Sequence, residues 1–416
     1  MTGVNVLDLK KQNRKQILLI IKKYGPLPRI DIAKLLKLTP AAVTIISNEM
    51  LEEGIIIEKG QQVEVDKRVG RKRILIDINY NFKYIVGVSI ESETLNIGLS
   101  NLKGEVVDKK QFMVSKEYFE SKLDIFKLIG DSCMNLFWEN NIKKQDILGM
   151  GIGIVGSVDS LEGISVDSYG VLEKKIQIKN ILQEYLNIPV CVDNNVRALA
   201  MAEIEFRPND NNENYNNNMV FVKYGPGIGA AIVINNEIYQ GSSNNAGELG
   251  HTTVNYHGDI CKCGRRGCLE TIASQNAVII KTKKMFSKED TPFLYKITHG
   301  DVEDINLLFI LESAHNGDVN IISILEDAAF YFAIALSTAI TLYDPKEVVF
   351  YGEVFRYDFF IDKLKFYFKD ILCDDNMLNI IRVSNLEYQN KFLGGVALAL
   401  KKFFYNEGGK NINQTK

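Results

Sequence analysis

The chain has 416 residues, 46% of them hydrophobic and 24% charged. That is enough for two or three packed domains and too apolar for wholesale disorder, because burial can offset the entropy of ordering the backbone. Apolar stretches such as residues 17–21 fall far short of the roughly 18 residues of a membrane span, and the N-terminus has no apolar signal core, so a cytoplasmic protein with no membrane partner is expected. The net charge of −3 is unevenly shared: residues 1–80 hold 15 Lys and Arg against 9 Asp and Glu, or +6, and the remainder carries −9. A small basic head on an acidic body suits a nucleic-acid module joined to something else.

Ile17, Ile20, Ile21 and Tyr24 recur at helical spacing and meet Gly25-Pro26, which predicts a first helix ending there. A second helix is expected over about residues 30–36. Thr39 can cap a third that opens with Pro40. Its buried stripe would be Val43, Ile46, Met50 and Leu51, leaving Ala41, Ala42, Thr44, Ile45 and Asn48 for other faces until Gly54 ends it. Two helices joined by a short turn, the second carrying small side chains, suit a major groove about 12 Å wide. Residues 55–57 and 74–76 then read as strands flanking a loop with Lys67, Arg68, Arg71, Lys72 and Arg73. Such a wing can neutralise phosphates or enter the minor groove. The expectation is a winged helix-turn-helix over residues 1–80 that holds operator DNA, with Thr44 and Asn48 at base edges and Arg71 and Arg73 at the backbone or minor groove. The competing reading is a three-helix protein-docking module with a charged hairpin.

From Tyr84 onward apolar strands alternate with glycine turns, and the pattern occurs twice: residues 85–90, 95–99 and 148–154, then 219–222 and 230–234. Two α/β lobes around a cleft follow, over residues 81–200 and 201–416, with the C-terminal helix returning to the first lobe. Gly149-Met150-Gly151-Ile152-Gly153 and Gly225-Pro226-Gly227-Ile228-Gly229 are weak phosphate-loop signals, since tight strand turns produce many such runs. Three of the six cysteines fall at Cys261, Cys263 and Cys268, ten residues after His251, which fits a reducing compartment and a structural Cys3His zinc site with no vacant position. His257 is the competing nitrogen ligand. Phe137 and Trp138 read as core, Cys133, Cys191 and Cys373 as isolated buried thiols, residues 207–218 as a flexible surface loop and residues 406–416 as a frayed tail.

Gly247-Glu248-Leu249-Gly250-His251 followed by the cysteine cluster resembles the signature of the ROK family of sugar kinases and sugar-responsive repressors. Residues 149–159 are similar to the family's glycine-rich sugar-side segment, residues 192–203 to its catalytic segment, and Gly394-Gly395 to the entry of its closing helix. The winged head resembles the repressor branch, which includes xylose-type regulators. This resemblance implies an actin-like (ribonuclease H-like) two-lobed fold, with sugar and, in the kinases, ATP between the lobes. It also implies that Asn194, Asn195, Gly156, Glu248, His251 and Glu270 stand at sugar-contacting positions.

The same comparison argues against phosphoryl transfer, which needs a base for the sugar hydroxyl and donors for the phosphates. Asn195 stands where the kinases carry the catalytic aspartate, and an amide cannot usefully accept that proton. Asp193 lies two positions away on a strand, with a different reach. Ser89, Glu91 and Ser92 replace an acidic residue and paired glycines, and a carboxylate there should repel phosphate. Pro226 removes a hydroxyl and a backbone donor from the second phosphate turn, and Tyr351-Gly352-Glu353 replaces a glycine run. The reading is a repressor of carbohydrate-utilisation genes with no catalytic residues, a homodimer or homotetramer released from operator DNA by a sugar effector. The alternative is an ATP-dependent sugar kinase with an accessory DNA-binding head.

Overall fold

Thr39 sets the geometry of the N-terminal module. In the computed structural model, which describes residues 6–61, 73–114, 122–207 and 218–410, its hydroxyl accepts the Ala42 amide at 3.2 Å and Pro40 opens helix α3 (Pro40–Glu52), after α1 (Val6–Tyr24) and α2 (Arg29–Leu36). Proline costs little there because a first-turn amide has no helical partner. The amide of Gly25 closes α1 on the Ile21 carbonyl at 2.8 Å with φ at +78°, a left-handed turn that glycine adopts without strain. Three strands complete the module, β1 (Leu27–Pro28), β2 (Ile56–Gln61) and β3 (Ile74–Ile78), in the order β1-β3-β2. This is a winged helix-turn-helix. Lys67, Arg68, Arg71 and Lys72 lie outside the described residues.

The buried faces differ from the periodicity in a few places. On α3 they are Val43, Ile46, Ser47 and Met50, with Leu51 half-buried, and on α1 Arg14, Ile17, Leu18 and Ile21, with Tyr24 exposed. Arg14 explains the shift. Fully buried, it grips the Glu53 carboxylate through Nη1 and Nη2 at 2.8 and 2.5 Å and donates from Nε to the Gly408 carbonyl at 2.8 Å. Lys15 donates to Asn406 at 2.7 Å and Lys11 pairs with Glu407 at 2.6 Å. Residues 406–410 are therefore a docking segment for α1 and not part of a frayed tail; residues 411–416 lie outside the description.

Arg14→Ala is expected to cost about 2–4 kcal/mol, because it removes a buried guanidinium and orphans the carbonyl it served. The Arg14 hydrogen bond holds the Glu53 carboxyl below its ordinary range. A lowered folded-state pKa stabilises fully above the unfolded value and fades as pH falls through the folded one. Thermal unfolding of parent and variant should therefore differ most at neutral pH and less in acid; an equal gap throughout would remove Glu53 from the account.

Two sheets of matching topology follow. Residues Met1–Asn212 and Asn390–Lys416 form one compact unit and Glu213–Gln389 a second. In the first, β4 (Tyr84–Ile90), β5 (Thr94–Asn101) and β6 (Val106–Met113) run as an antiparallel meander; β7 (Ile147–Ile154) and, beyond the hairpin of β8 (Ser157–Asp159) and β9 (Ile164–Asp167), β10 (Val190–Asn194) add in parallel. The order is β10-β7-β4-β5-β6. In the second, β11 (Met219–Tyr224), β12 (Ile228–Ile234) and β13 (Glu237–Tyr239) form the meander and β14 (Glu347–Tyr351) and β15 (Ile381–Val383) the parallel side, in the order β13-β12-β11-β14-β15.

Helices α4 (Lys122–Glu139) and α5 (Ile178–Leu186) bring Ile125, Ile129, Phe137, Ile178 and Leu182 onto the first sheet's core. Trp138, expected there, is 81% exposed, and Cys373 is exposed while Cys133 and Cys191 are buried. The second core is built on the helix Val319–Tyr343, with Phe332 among Tyr224, Phe350 and Phe360. By length and composition this helix could cross a membrane, a feature the shorter apolar runs did not suggest; Ile321, Leu325, Ala328, Phe332 and Leu336 bury its inner face.

The glycines of β7 have a different use from the one their spacing suggests. The whole stretch is strand interior, and a Cβ on Gly151 would lie 1.9 Å from the Gly395 carbonyl. Glycine here lets the helix Leu393–Ala399 rest backbone to backbone on the sheet. Gly225-Pro226-Gly227, by contrast, is the tight turn between β11 and β12, closed by the Gly225 amide on the Gly227 carbonyl at 3.0 Å. Most of the expected loop at 207–218 lies outside the described residues.

Candidate functional site

β10 delivers Asn194 and Asn195 to the start of α6 (Asn195–Glu205). Asn194 is the cap: its Oδ1 accepts the amides of Val196 and Arg197 at 2.9 and 3.2 Å, and its Nδ2 donates to the Gly156 carbonyl at 2.9 Å. Most of its hydrogen-bonding capacity therefore goes into joining Gly156 to α6. Gly156 has φ at +98°, and a Cβ would lie 2.1 Å from the Asp167 carbonyl, so only glycine fits. Asn195 is buried and donates from Nδ2 to Glu91 Oε1 at 3.0 Å, while Lys391 Nζ stands 3.9 Å from Glu91 Oε2. The amide is thereby oriented, with Oδ1 left as the acceptor it can offer a hydroxyl. Asp193 is engaged elsewhere, taking Arg197 Nε at 2.7 Å. Burial raises its carboxyl and Arg197 opposes that rise.

In the second unit, His251, Cys261, Cys263 and Cys268 place their donor atoms within 4.8 Å of one another. Cys263 Sγ lies 3.7 Å from Cys268 Sγ, and Cys261 Sγ 3.5 Å from His251 Nδ1. A tetrahedral ion bound at ordinary zinc–sulfur and zinc–nitrogen lengths would separate such pairs by roughly 3.5–3.8 Å, so the residues present fit the group. Gly264 and Gly267 supply left-handed bends, and a Cβ on Gly267 would lie 1.5 Å from the Asn255 carbonyl. His257 is exposed, set edge-on against Tyr256, and outside this cluster.

His251 turns its other nitrogen, Nε2, toward Glu248 Oε2 at 3.9 Å. Glu270 accepts the Ile228 amide at 3.2 Å and pairs with Lys262 at 3.0 Å, which ties the cysteine loop to the Gly225–Ile228 turn. The six sugar-position residues thus fall into two groups: Asn194, Asn195 and Gly156 in the first unit, and Glu248, His251 and Glu270 in the second.

On the winged module, α3 exposes Ala41, Thr44, Ile45 and Asn48. Thr44 donates its hydroxyl to the Pro40 carbonyl at 2.7 Å, and Asn48 accepts from Arg29 at 3.3 Å. Arg29 also donates to Ser47 at 3.0 Å and lies 3.4 Å from Glu58 of β2. Sequence reasoning missed it, because nothing in the α2 pattern marks a cation reaching α3. Arg73 is exposed, 3.8 Å from Asp31, and Arg71 lies outside the described residues.

Two α/β units of one strand order and a winged helix-turn-helix define a two-lobed, actin-like sugar-kinase fold with an added head. Residues 89–402 match the ROK family model, and the chain belongs to the ROK family. It is 29% identical over 405 residues to the xylose repressor of Caldicellulosiruptor bescii, covering 94% of this chain and 96% of that protein. A ROK family transcriptional regulator described as a homolog of the Escherichia coli Mlc protein superposes with a TM-score of 0.77 at 22% identity, over 97% of this chain and 98% of its own. A ROK family glucokinase from Streptomyces griseus, in complex with glucose and AMPPNP, superposes with a TM-score of 0.65 at 21% identity, over 76% of this chain and 99% of its own. At those identities both structures speak for the fold alone.

Proposed function

We propose that this chain is a cytoplasmic, sugar-responsive transcriptional repressor of carbohydrate-utilisation genes, without kinase activity, and that D-xylose is its foremost effector. The observation that carries this reading is Asn195. At the position of the kinase base stands a buried amide whose N–H is already given to Glu91, so neither the residue nor its neighbour is set to take a proton from a sugar hydroxyl. Asp193 is held by Arg197. Residues 1–80 are the operator-binding module. Thr44 and Asn48 read base edges, Arg71 and Arg73 meet the backbone or minor groove, and two copies in a symmetric oligomer meet half-sites about 34–36 Å apart.

In the body, Asn194, Asn195 and Gly156 of the first unit and Glu248, His251 and Glu270 of the second serve the sugar hydroxyls. A zinc ion on His251, Cys261, Cys263 and Cys268 fixes the loop that carries Glu270. Occupancy lowers operator affinity because sugar and DNA favour different arrangements of the protein.

Thermal shift of the full chain against a panel of sugars, each with and without Mg-ATP, tests the reading. A sugar at 100 times its Kd adds about 2.7 kcal/mol of stability. D-xylose is expected to stabilise on its own and ATP to add nothing. Stabilisation by ATP accompanied by ADP release would favour the kinase alternative, and indifference to every sugar would remove the effector.

A further inference from the structure

Two helices of the first unit start at the Asn195–Glu91–Lys391 cluster and end on the winged module. α6 begins with Asn195, bonded to Glu91, and finishes at Glu205, whose carboxylate pairs with Lys22 of α1 at 2.6 Å. At 1.5 Å per residue it spans about 16 Å. The other route begins at Lys391, beside the same Glu91 carboxylate, runs through the helix Leu393–Ala399 and continues in the helical turns of Leu400–Tyr405. The Tyr405 ring centre lies 5.2 Å from the ammonium of that same Lys22. The next three residues hold Lys15, Lys11 and Arg14 of α1.

The helices cross closely, with the Ala198 methyl at the contact, since a Cβ on Gly394 would lie 3.0 Å from the Ala198 carbonyl carbon, the Ala198 Cβ and the Leu199 nitrogen. Close-packed backbone of this kind passes on a displacement with little loss, because interiors are nearly incompressible. The Glu205 side chain is only 7% exposed, so water screens its pairing with Lys22 far less than it screens a surface ion pair.

We propose that α6 and the helix Leu393–Ala399 together carry the state of Asn195 to the winged module, with the Glu205–Lys22 pair as the output joint. The proposal rests on the sugar-responsive reading above and names its route. A hydroxyl engaging Asn195 alters the bond to Glu91 and the setting of Lys391, both helices move on α1, and Arg14 passes the change to Glu53 at the end of α3.

The test uses the full chain, D-xylose as the probe, and an operator duplex that the chain itself selects from random DNA. Saturating D-xylose is expected to raise the operator Kd of the parent at least tenfold. In Glu205→Gln the sugar-free operator Kd and the D-xylose affinity are expected to stay within twofold of the parent, while release falls below threefold. Full release in this variant would overturn the route and leave the repressor reading standing. A parent that D-xylose does not release would overturn the effector reading and the route with it. Should Glu205→Gln bind neither ligand, Lys22→Gln, which leaves α6 untouched, is judged on the same criteria.

Discussion

Serine in place of Cys263 is expected to empty the cysteine loop of zinc. Cys263 is the one half-buried donor of the four, so exchanging sulfur for oxygen disturbs packing least there and any loss of metal reports on ligation. A neutral hydroxyl is a poor zinc ligand beside a thiolate, and structural zinc sites draw about 10–16 kcal/mol from binding. Metal analysis should fall from one equivalent per chain to a trace. Without the ion, the loop keeps the Thr253–Cys268 and Ile260–Arg266 bridges and the Lys262–Glu270 pair. Arg265 and Arg266 are exposed, so trypsin should cut here faster in the variant than in the parent. Each 1.4 kcal/mol of lost local stability raises the open fraction, and with it the cleavage rate, about tenfold. Retention of stoichiometric zinc would take Cys263 out of the ligand set.

Asn195→Asp is expected to destabilise the first unit without creating a kinase. The substitution sets a second carboxyl where the amide now lies 3.0 Å from Glu91, both positions being buried. Two such groups cannot both ionise, and one holds its proton far above the usual range, at a cost on the order of 2–4 kcal/mol at neutral pH. The sign follows from the raised folded-state pKa. Below about pH 4 the folded and unfolded chains both carry the proton and the penalty vanishes. It grows as pH rises from there and is complete above the folded pKa. Urea unfolding at pH 4 and pH 8 should therefore bring parent and variant together in acid and separate them in base, and a coupled assay with ATP should show no sugar-dependent ADP release. Equal stability at pH 8 would mean that Glu91 does not constrain this position, and turnover would restore the kinase reading.

Local chemistry was the readable part. Thr39-Pro40, Gly25 and Gly54 punctuate the helices of the winged module through backbone geometry that neighbouring residues determine, and the cysteines crowd into so short a loop that their meeting needs no knowledge of the fold. Partners distant in the chain were not readable. Arg14 looks like one more cation on a charged helix because its carbonyl partner is 394 positions away. Glu91 could be recognised as a carboxylate in place of a glycine, but not as the group that orients an amide 104 positions later. The glycine run in β7 suggested a turn because spacing alone does not reveal that a helix from the far end of the chain needs the room. Asn194 was assigned to sugar on resemblance, and its structure shows an amide largely used by the cap and by Gly156.

The grip of Arg14 on Gly408 also bears on how the polypeptide is made. Arg14 leaves the ribosome 394 residues ahead of the Gly408 that it holds. At about 5–20 residues per second, roughly 20–80 s of translation separate the two. Within that interval α1 can fold and meet Glu205 through Lys22, yet the C-terminal residues that hold Arg14, Lys15 and Lys11 do not exist. A chain cut before Asn406 would keep the Lys22–Glu205 pair but lose the C-terminal partners of Arg14, Lys15 and Lys11, so full anchoring of the head certifies that translation has passed Gly408.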